Sequence, residues 1–509
     1  FGHAATAPPS TRGIDRFDPL RIAGAAVSTI PRGARIRSVQ CSPLYAGSDP
    51  NPSTARLAPF AAPYATDPVL QDFLHRTADL LCAWIGSAEQ HSPLPLMRPQ
   101  PSIAPNAEAA DLDALLHDLQ VVMDGAFQPS HPGSLAHLDP PPLTASIAAE
   151  LVCAGLNNNL LADELSPGLS SLEQELCGWF CQRLGLPKGA GGVLASGGTL
   201  SNLMALVTAR ACGQGSRDGV ILCSRDSHVS LVKATRVMGL SDDALVLLPT
   251  DDAGRLCLAA VEQKLNQLRR LQSPCLAMVA TAGTTVRGAI DPLPQLANLC
   301  RQHNVWLHVD AAIGGVVALS AEHASLMRGL DQADSITLNP QKLLGITKAS
   351  SLLLLRDGHQ LSTTFGTGLP YMERPTGEHH GGEVGLQGTR PAEVLKLWLG
   401  LRQLGEVGIE TILSNALERR AAFASQLDST RLNLLPGDLH IQAFRLNQSD
   451  STSGDVWSEH LRQQLLSAGY MLSRPFYGDR FCLKGVFGNP HTTPEHLTEL
   501  AQLINGSVR

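Results

Sequence analysis

The sequence predicts an α/β fold organised on a mostly parallel sheet, and three observations carry that prediction. From about residue 190, short continuous apolar runs alternate with segments of helical spacing, the order expected of strands covered on both faces. Stretches rich in Gly, hydroxyl and acidic residues follow directly on these runs, where open α/β sheets bind their ligands. The chain has 509 residues, 43% of them hydrophobic, enough for more than one unit and a large core.

Composition narrows the function. A formal charge of −7, spread along the chain, argues against nucleic acid or an anionic membrane as partner. No apolar run approaches the roughly 20 residues that span a bilayer. The eleven cysteines form no C-x-x-C pair and no zinc-like spacing with histidine, so no metal is expected. Cys82, Cys153 and Cys300 lie in apolar runs, where a reduced thiol acts as a small hydrophobe. This usage implies a reducing, cytoplasmic setting.

Taken in order, residues 1–65 are rich in Ala, Pro, Arg and Ser and bury too little to offset chain entropy, so they read as a low-order segment. Arginines with few acids are also the composition of a transit peptide, and a chain beginning at Phe1 is expected to have its natural start upstream. Residues 66–130 read as a helical dimerisation segment. Thr66-Asp67-Pro68 is a helix-start signal ahead of Val69, Phe73, Leu80, Leu81 and Trp84, and a second helix runs from about Ala109 to Met123. Residues 131–395 form the large domain. It opens on the proline-dense loop HPGSLAHLDPPP, which serves equally as a connector or a substrate-contacting loop, and returns to helix over 143–185 with breaks at Asn157–Asn159 and Ser166–Gly168. Its expected strands are Val220–Cys223, Ala244–Leu248, Cys275–Ala280, Val305–Val309, Ser335–Leu338 and Ser351–Leu355. Residues 396–509 form a small C-terminal domain, with helix over Val456–Ala468, strand over Arg480–Val486 and helix over Thr493–Ile504.

Four stretches carry the chemistry. Ala195-Ser196-Gly197-Gly198-Thr199-Leu200-Ser201-Asn202 opens a helix with two glycines and several hydroxyls, a phosphate cradle in company and a plain turn when read alone. His228, shortly after a strand, suits stacking on a flat ring or handling a proton, and also suits a helix start. Asp310 ends the run Val305–Val309, where a buried carboxylate needs a cationic partner; Lys342 and a protonated ring nitrogen are the candidates. Ala311 and Ala312 beside it leave room for a planar group. In Asn339-Pro340-Gln341-Lys342 a lysine stands in a turn after a strand. Alone it reads as a surface residue, but an amine placed there is also a nucleophile for an aldehyde cofactor. Cradle, imidazole, aspartate and amine, in that order, are what pyridoxal 5′-phosphate requires.

With TAGTTVRGAIDP at 281–292, HVDAAIGG at 308–315 and NPQK at 339–342, the chain resembles the group II pyridoxal-phosphate-dependent amino-acid decarboxylases. These act on glutamate, cysteine sulfinate, aromatic amino acids or 2,4-diaminobutyrate. The likeness runs from about His131 to Pro490. It implies a fold-type I, aspartate aminotransferase-like enzyme with a seven-stranded large domain, working as a homodimer with shared active sites. It further implies Lys342 as Schiff-base lysine, Asp310 as partner of the pyridine nitrogen and His228 as the stacking residue. Gly198, Thr199 and Asn339 match phosphate-side positions, Ala312 packs on the ring, and Thr284 lies in a motif lining the site. Gln341 stands where the family usually has histidine; it still donates a hydrogen bond but carries no charge.

Phe365–Gly388 corresponds to the family's catalytic loop and is glycine-rich, as a lid should be. Its Tyr371 matches the tyrosine that protonates the substrate carbon after CO₂ leaves, or else anchors the loop as an aromatic. Arg390, at the loop's end, ties it down electrostatically. For substrate, Lys484 occupies the place of an arginine that holds the α-carboxylate, and His137 lies in the loop HPGSLAHLDPPP. Asp139, Asp163 and Glu164 are acids available to a distal ammonium. The resemblance leans to a short diamino acid such as L-2,4-diaminobutyrate. An acidic amino acid (glutamate, aspartate or cysteine sulfinate) is the alternative, and a cofactor-binding protein of other chemistry a third.

Overall fold

The computed structural model describes residues 55–101, 103–213, 218–372, 379–447 and 451–508. The reading of residues 1–65 therefore falls mostly outside the described residues. Helix α1 (Pro68–Gly86) starts as its sequence demands. Asp67 Oδ1 accepts the amides of Val69 and Leu70 at 3.0 and 3.1 Å, and Pro68 sits where no amide donor is needed. Asp111 caps α2 (Leu112–Asp124) in the same way. None of α1's residues is buried within this chain. Helix α3 (Thr144–Leu156) stops at Asn157, which takes the left-handed conformation, and α4 (Pro167–Arg183) begins at the second expected break.

Seven strands then build one sheet: β1 (Gly191–Ala195), β2 (Val220–Ser224), β3 (Leu245–Leu248), β4 (Cys275–Thr281), β5 (Leu307–Ala311), β6 (Ser335–Leu338) and β7 (Ser351–Leu355). Their order is β1-β7-β6-β5-β4-β2-β3. Pairing is parallel from β6 through to β3, while β7 runs against both β6 and β1. The helices α5 (Gly198–Cys212), α6 (Ser230–Val237), α7 (Leu258–Arg270) and α8 (Leu293–His303) connect the strands. Both faces are covered: Val309, Ile336 and Leu354 pack into one core, and Ile221, Ala277 and Val279 into another. That double burial is why the strands read as unbroken apolar runs.

Two expectations for this sheet need correction. Strand β1 was not among the expected strands, because two of its five residues are glycines and it pairs only with β7, at the sheet edge. Strand β5 lies two residues later than its apolar run, so Asp310 is inside the strand rather than after it.

Downstream come α9 (His359–Phe365) and α10 (Val394–Gln426), the latter broken at Gly405. The C-terminal elements are β8 (Leu432–Leu435), β9 (Ile441–Leu446), α11 (Ser451–Ser467), β10 (Phe476–Tyr477), β11 (Arg480–Phe481), β12 (Leu483–Val486) and α12 (Pro494–Gly506). The expected strand Arg480–Val486 is thus two. Its first part folds back on β10, and β12 joins the antiparallel sheet β12-β9-β8. A separate core forms here around Phe423, Phe444 and Phe487, the first and last with ring centroids 4.7 Å apart.

The loop after His131 is stitched to this C-terminal unit. Asn489 Nδ2 donates to His131 O (2.8 Å), Thr492 Oγ1 to Pro132 O (2.7 Å) and the Val486 amide to Leu135 O (2.8 Å). Gly133 is required there, since a Cβ would stand 1.9 Å from the carbonyl oxygen of Gly469. The stitching carries His137 and Asp139 toward β12. Among the described residues, no helix is long and apolar enough to cross a membrane.

Candidate active site

The C-terminal ends of β4, β5 and β6 and the start of α5 enclose a cavity of about 500 Å³, the size of a small-molecule site. Eight of the residues expected at the site line it together: Gly198, Thr199, His228, Asp310, Ala312, Asn339, Gln341 and Lys342. They come from sequence positions 144 residues apart (342 − 198), so only the sheet brings them together.

At one end, Gly198 and Thr199 at the start of α5 line the cavity, and a helix start is an anion site. Gly197 precedes it at φ +141°, a backbone that a side chain rarely tolerates. Asn339 lines the cavity but is committed to bracing: its amide donates to Ser351 Oγ (2.6 Å) and accepts from the Gly198 amide (3.3 Å). Gln341 Oε1 accepts the Ser350 amide at 2.6 Å. The family histidine's replacement is therefore anchored, with its amide nitrogen left to donate.

At the other end Asp310, 5% exposed, takes Asn202 Nδ2 on Oδ2 (2.8 Å) and the Ala312 amide on Oδ1 (3.2 Å). Among the described residues, its direct hydrogen-bond partners are thus amides. Lys342 is close enough for the Asp310 charge to act on it. Burial lowers the Lys342 ammonium from its ordinary value, with Asp310 and Asp139 opposing, so the neutral nucleophilic amine is more accessible. Burial likewise lowers His228, and its Nδ1 accepts the Ser230 amide at 3.2 Å, leaving Nε2 as the N–H.

Four expected residues stand apart from the lining. Thr284 uses its hydroxyl to accept the Ala289 amide (3.1 Å) inside a tight turn, and its neighbours Gly283 and Thr285 line the cavity instead. Much of the surrounding motif is scaffold: Asp291, its carboxyl pushed up to about 7 by burial, accepts the amides of Thr281 and Leu256, each at 2.7 Å. Lys484, on β12, is buried and donates to Thr285 O at 3.4 Å. Burial brings its ammonium down to about 8. His137 is exposed but close enough to Lys484 for that charge to lower it further after burial has. Tyr371 is 72% exposed and does not line the cavity of its own chain; residues 373–378 of its loop lie outside the described residues.

Of the remaining acids, Asp139 pairs with Lys348 at 2.6 Å while acting electrostatically on Lys342 and Lys484. Asp163 is buried beside His380, and Glu164 is exposed. Arg390 does tie the loop's end down: it grips Glu173 of α4 through both carboxylate oxygens, at 2.6 and 2.9 Å. The sequence reading assigned no role to Asn202 or His308, although both lie in stretches that it singled out. Their signal was present as polar residues inside otherwise buried elements.

These groups suit one ligand class: a helix start for a phosphate, a buried carboxylate for a ring nitrogen, an uncharged imidazole and a small Ala312 for a flat ring, and an amine for an aldehyde. The residues present fit pyridoxal phosphate.

Known proteins agree. Residues 93–443 match the family model described as the pyridoxal-dependent decarboxylase conserved domain. An L-2,4-diaminobutyrate decarboxylase of Rhizobium meliloti (strain 1021) is 31% identical across 76% of this chain and 80% of its own length. An aromatic-L-amino-acid decarboxylase of Bacillus atrophaeus is 28% identical across 78% of this chain and 85% of its own. The crystal structure of Oryza sativa TDC with PLP and tryptamine shares the fold, with a TM-score of 0.82 at 22% identity, covering 88% of this chain and 99% of that one. The chain therefore belongs to the pyridoxal-dependent decarboxylase family: it is an amino-acid decarboxylase whose cofactor is pyridoxal phosphate.

Proposed function

We propose that the chain removes the α-carboxyl group of a short diamino acid, L-2,4-diaminobutyrate first among the candidates, giving CO₂ and the corresponding amine. The observation that carries the substrate reading is the placement of one cation and one acid around Lys342. Asp139 acts electrostatically on both Lys342 and Lys484, and Lys342 acts on Lys484. A diamino acid presents the complementary pair, an α-carboxylate for Lys484 and a distal ammonium for Asp139. The similarity to a diaminobutyrate decarboxylase supports the same choice.

Bound pyridoxal phosphate supplies a conjugated cationic ring that accepts the electron pair left when CO₂ departs. The chain's residues do the rest. Gly198 and Thr199 would hold the phosphate end, and Asp310 would keep negative charge toward the ring nitrogen. His228 and Ala312 would bound the space for the ring, and the Gln341 amide nitrogen would be available to donate. Lys342 would present the amine nucleophile for the cofactor's aldehyde. Lys484 orients the α-carboxylate, and His137 lies beside it. Tyr371 returns a proton to the substrate's Cα, so that one proton is taken up for each CO₂ released.

A second copy of the chain completes the enzyme in this reading. Helix α1 is amphipathic with nothing buried in its own chain, and Leu96 and Met97 nearby are 89% and 100% exposed. The exposure of Tyr371 suits a residue delivered to the partner's site.

A decarboxylase of an acidic amino acid is the second reading, favoured if Lys484 meets a distal carboxylate; Asp139 opposes it by like charge. The test is CO₂ and amine release from a panel of amino acids by the purified protein. The expected result is the highest kcat/KM for L-2,4-diaminobutyrate. Faster turnover of glutamate, aspartate or cysteine sulfinate would overturn the substrate choice, and keto acid or sulfide without CO₂ would overturn the reaction.

A further inference from the structure

Behind Asp310 a line of side chains runs away from the cavity. Trp306 Nε1 donates to Ser335 Oγ at 2.8 Å, and Ser335 Oγ lies 2.9 Å from His308 Nδ1. His308 Nε2 is 3.0 Å from Asn202 Oδ1, and Asn202 Nδ2 reaches Asp310 Oδ2 at 2.8 Å and Ser230 Oγ at 2.9 Å. Apart from Trp306, every member is at most 5% exposed.

The chemistry of the partners assigns a single direction to this line. An ionised carboxylate only accepts, so Asn202 must turn its NH₂ to Asp310 and its carbonyl to His308. His308 Nε2 then carries the proton. Burial holds His308 well below its ordinary value, so the ring is neutral and Nδ1 accepts from the Ser335 hydroxyl. Ser335 is free to donate because its oxygen takes the indole N–H. Every donor points toward Asp310.

We propose that Asn202 and His308 are positioning residues that hold Asp310 as an oriented carboxylate through this one-way chain of hydrogen bonds, anchored at Ser335 and Trp306. The chain also couples the two ends of the cavity. Asn202 lies one turn into α5, the helix whose first residues line the other end of the cavity, while His308 and Ser335 pair across β5 and β6. A buried network with all members satisfied rigidifies its site, whereas one broken link leaves the others unpaired in low dielectric. The proposal rests on the reading of Asp310 as partner of the cofactor's ring nitrogen.

The test uses the full-length protein reconstituted with pyridoxal phosphate. Asp310→Asn, Asn202→Leu, His308→Phe and His308→Gln are compared in apo-protein melting, cofactor Kd, bound-cofactor absorption at fixed pH, and kcat and KM. Gln keeps a donor near the Nε2 position. Asn202→Leu and His308→Phe should fold, lower kcat about ten-fold with little change in KM, weaken cofactor binding and shift the absorption in the sense of Asp310→Asn, while His308→Gln restores most of each. If Asp310→Asn alters the spectrum but folded Asn202→Leu and His308→Phe match wild type, the chain is not a positioning device. A His308→Gln as impaired as His308→Phe would reduce His308 to space filling and equally overturn it. An unaltered Asp310→Asn spectrum would instead remove the reading of Asp310 beneath it. Should His308→Phe or Asn202→Leu fail to fold, Ser335→Ala takes its place. It must then move absorption and Kd in the Asp310→Asn direction, and wild-type values would refute the proposal.

Discussion

At the floor of the cavity, Asp310, Asn202 and His308 are at most 5% exposed and exchange hydrogen bonds of 2.8–3.0 Å. On the substrate side Lys484 has a long contact of 3.4 Å to a carbonyl, His137 is exposed, and Tyr371 is 72% exposed. The floor satisfies its polar groups within the chain, which gives rigidity. The other side keeps charges and hydroxyls incompletely matched, and such groups gain most when a ligand supplies the missing partner. One region thus suits a cofactor that stays, the other a substrate that comes and goes.

Mutations at the floor should impair every substrate alike, and those on the other side should separate catalytic steps and substrates. The largest effect is expected for Lys342→Ala, with turnover falling about 10⁴-fold or more and no borohydride-fixed cofactor adduct by mass spectrometry. A fixed adduct on another lysine would break the assignment. Asp310→Ala should lower kcat about 10³-fold while the apo-protein melts near wild type, and near-normal decarboxylation with cofactor bound would contradict its role.

Tyr371→Phe should slow amine release about 10²-fold while CO₂ release falls less and an oxygen-dependent carbonyl product appears. Equal amine and CO₂ yields at wild-type rate would leave Tyr371 as packing only. Lys484→Met removes the charge but keeps most of the stem. Truncating a buried charge partner costs about 2 kcal/mol at the low end, roughly 30-fold in kcat/KM, and the loss should be similar for diamino and acidic substrates. A loss confined to acidic substrates would make Lys484 a reader of the distal group.

The smallest effect is on stability. His440 is fully buried, with neither ring nitrogen hydrogen-bonded among the described residues, and burial helped by Arg419 and Lys484 brings it down to about 3. Its ordinary value is 6.5, so between pH 6.5 and 3 the unfolded chain binds a proton that the native one refuses. Stability is complete above that window and is lost as pH falls through it, by about 1.4 kcal/mol per unit. Urea melts at pH 7 and 5 should therefore show His440→Phe losing about 2 kcal/mol less than wild type. An unchanged difference would place the acid sensitivity elsewhere.

By itself the sequence determined most of the strand runs, the helix start at Asp67, and the stretches from which the cavity lining is drawn. Those signals are local: apolar runs of strand length, a capping carboxylate before Pro68, and a Gly, Asp or Lys at or shortly after the end of a strand. The reversal of β7, the edge strand β1 and the split at Cys482 were decided only by tertiary pairing, because strand direction depends on partners far along the chain. The same holds within the site. Asp310 was legible from its position, but its partner Asn202 is 108 residues away and His308 meets Asn202 across 106. Tyr371 matched a family position, yet its side chain lies outside its own chain's cavity. A motif places a residue on an element, and only the packing of elements decides what that residue's hydrogen bonds reach.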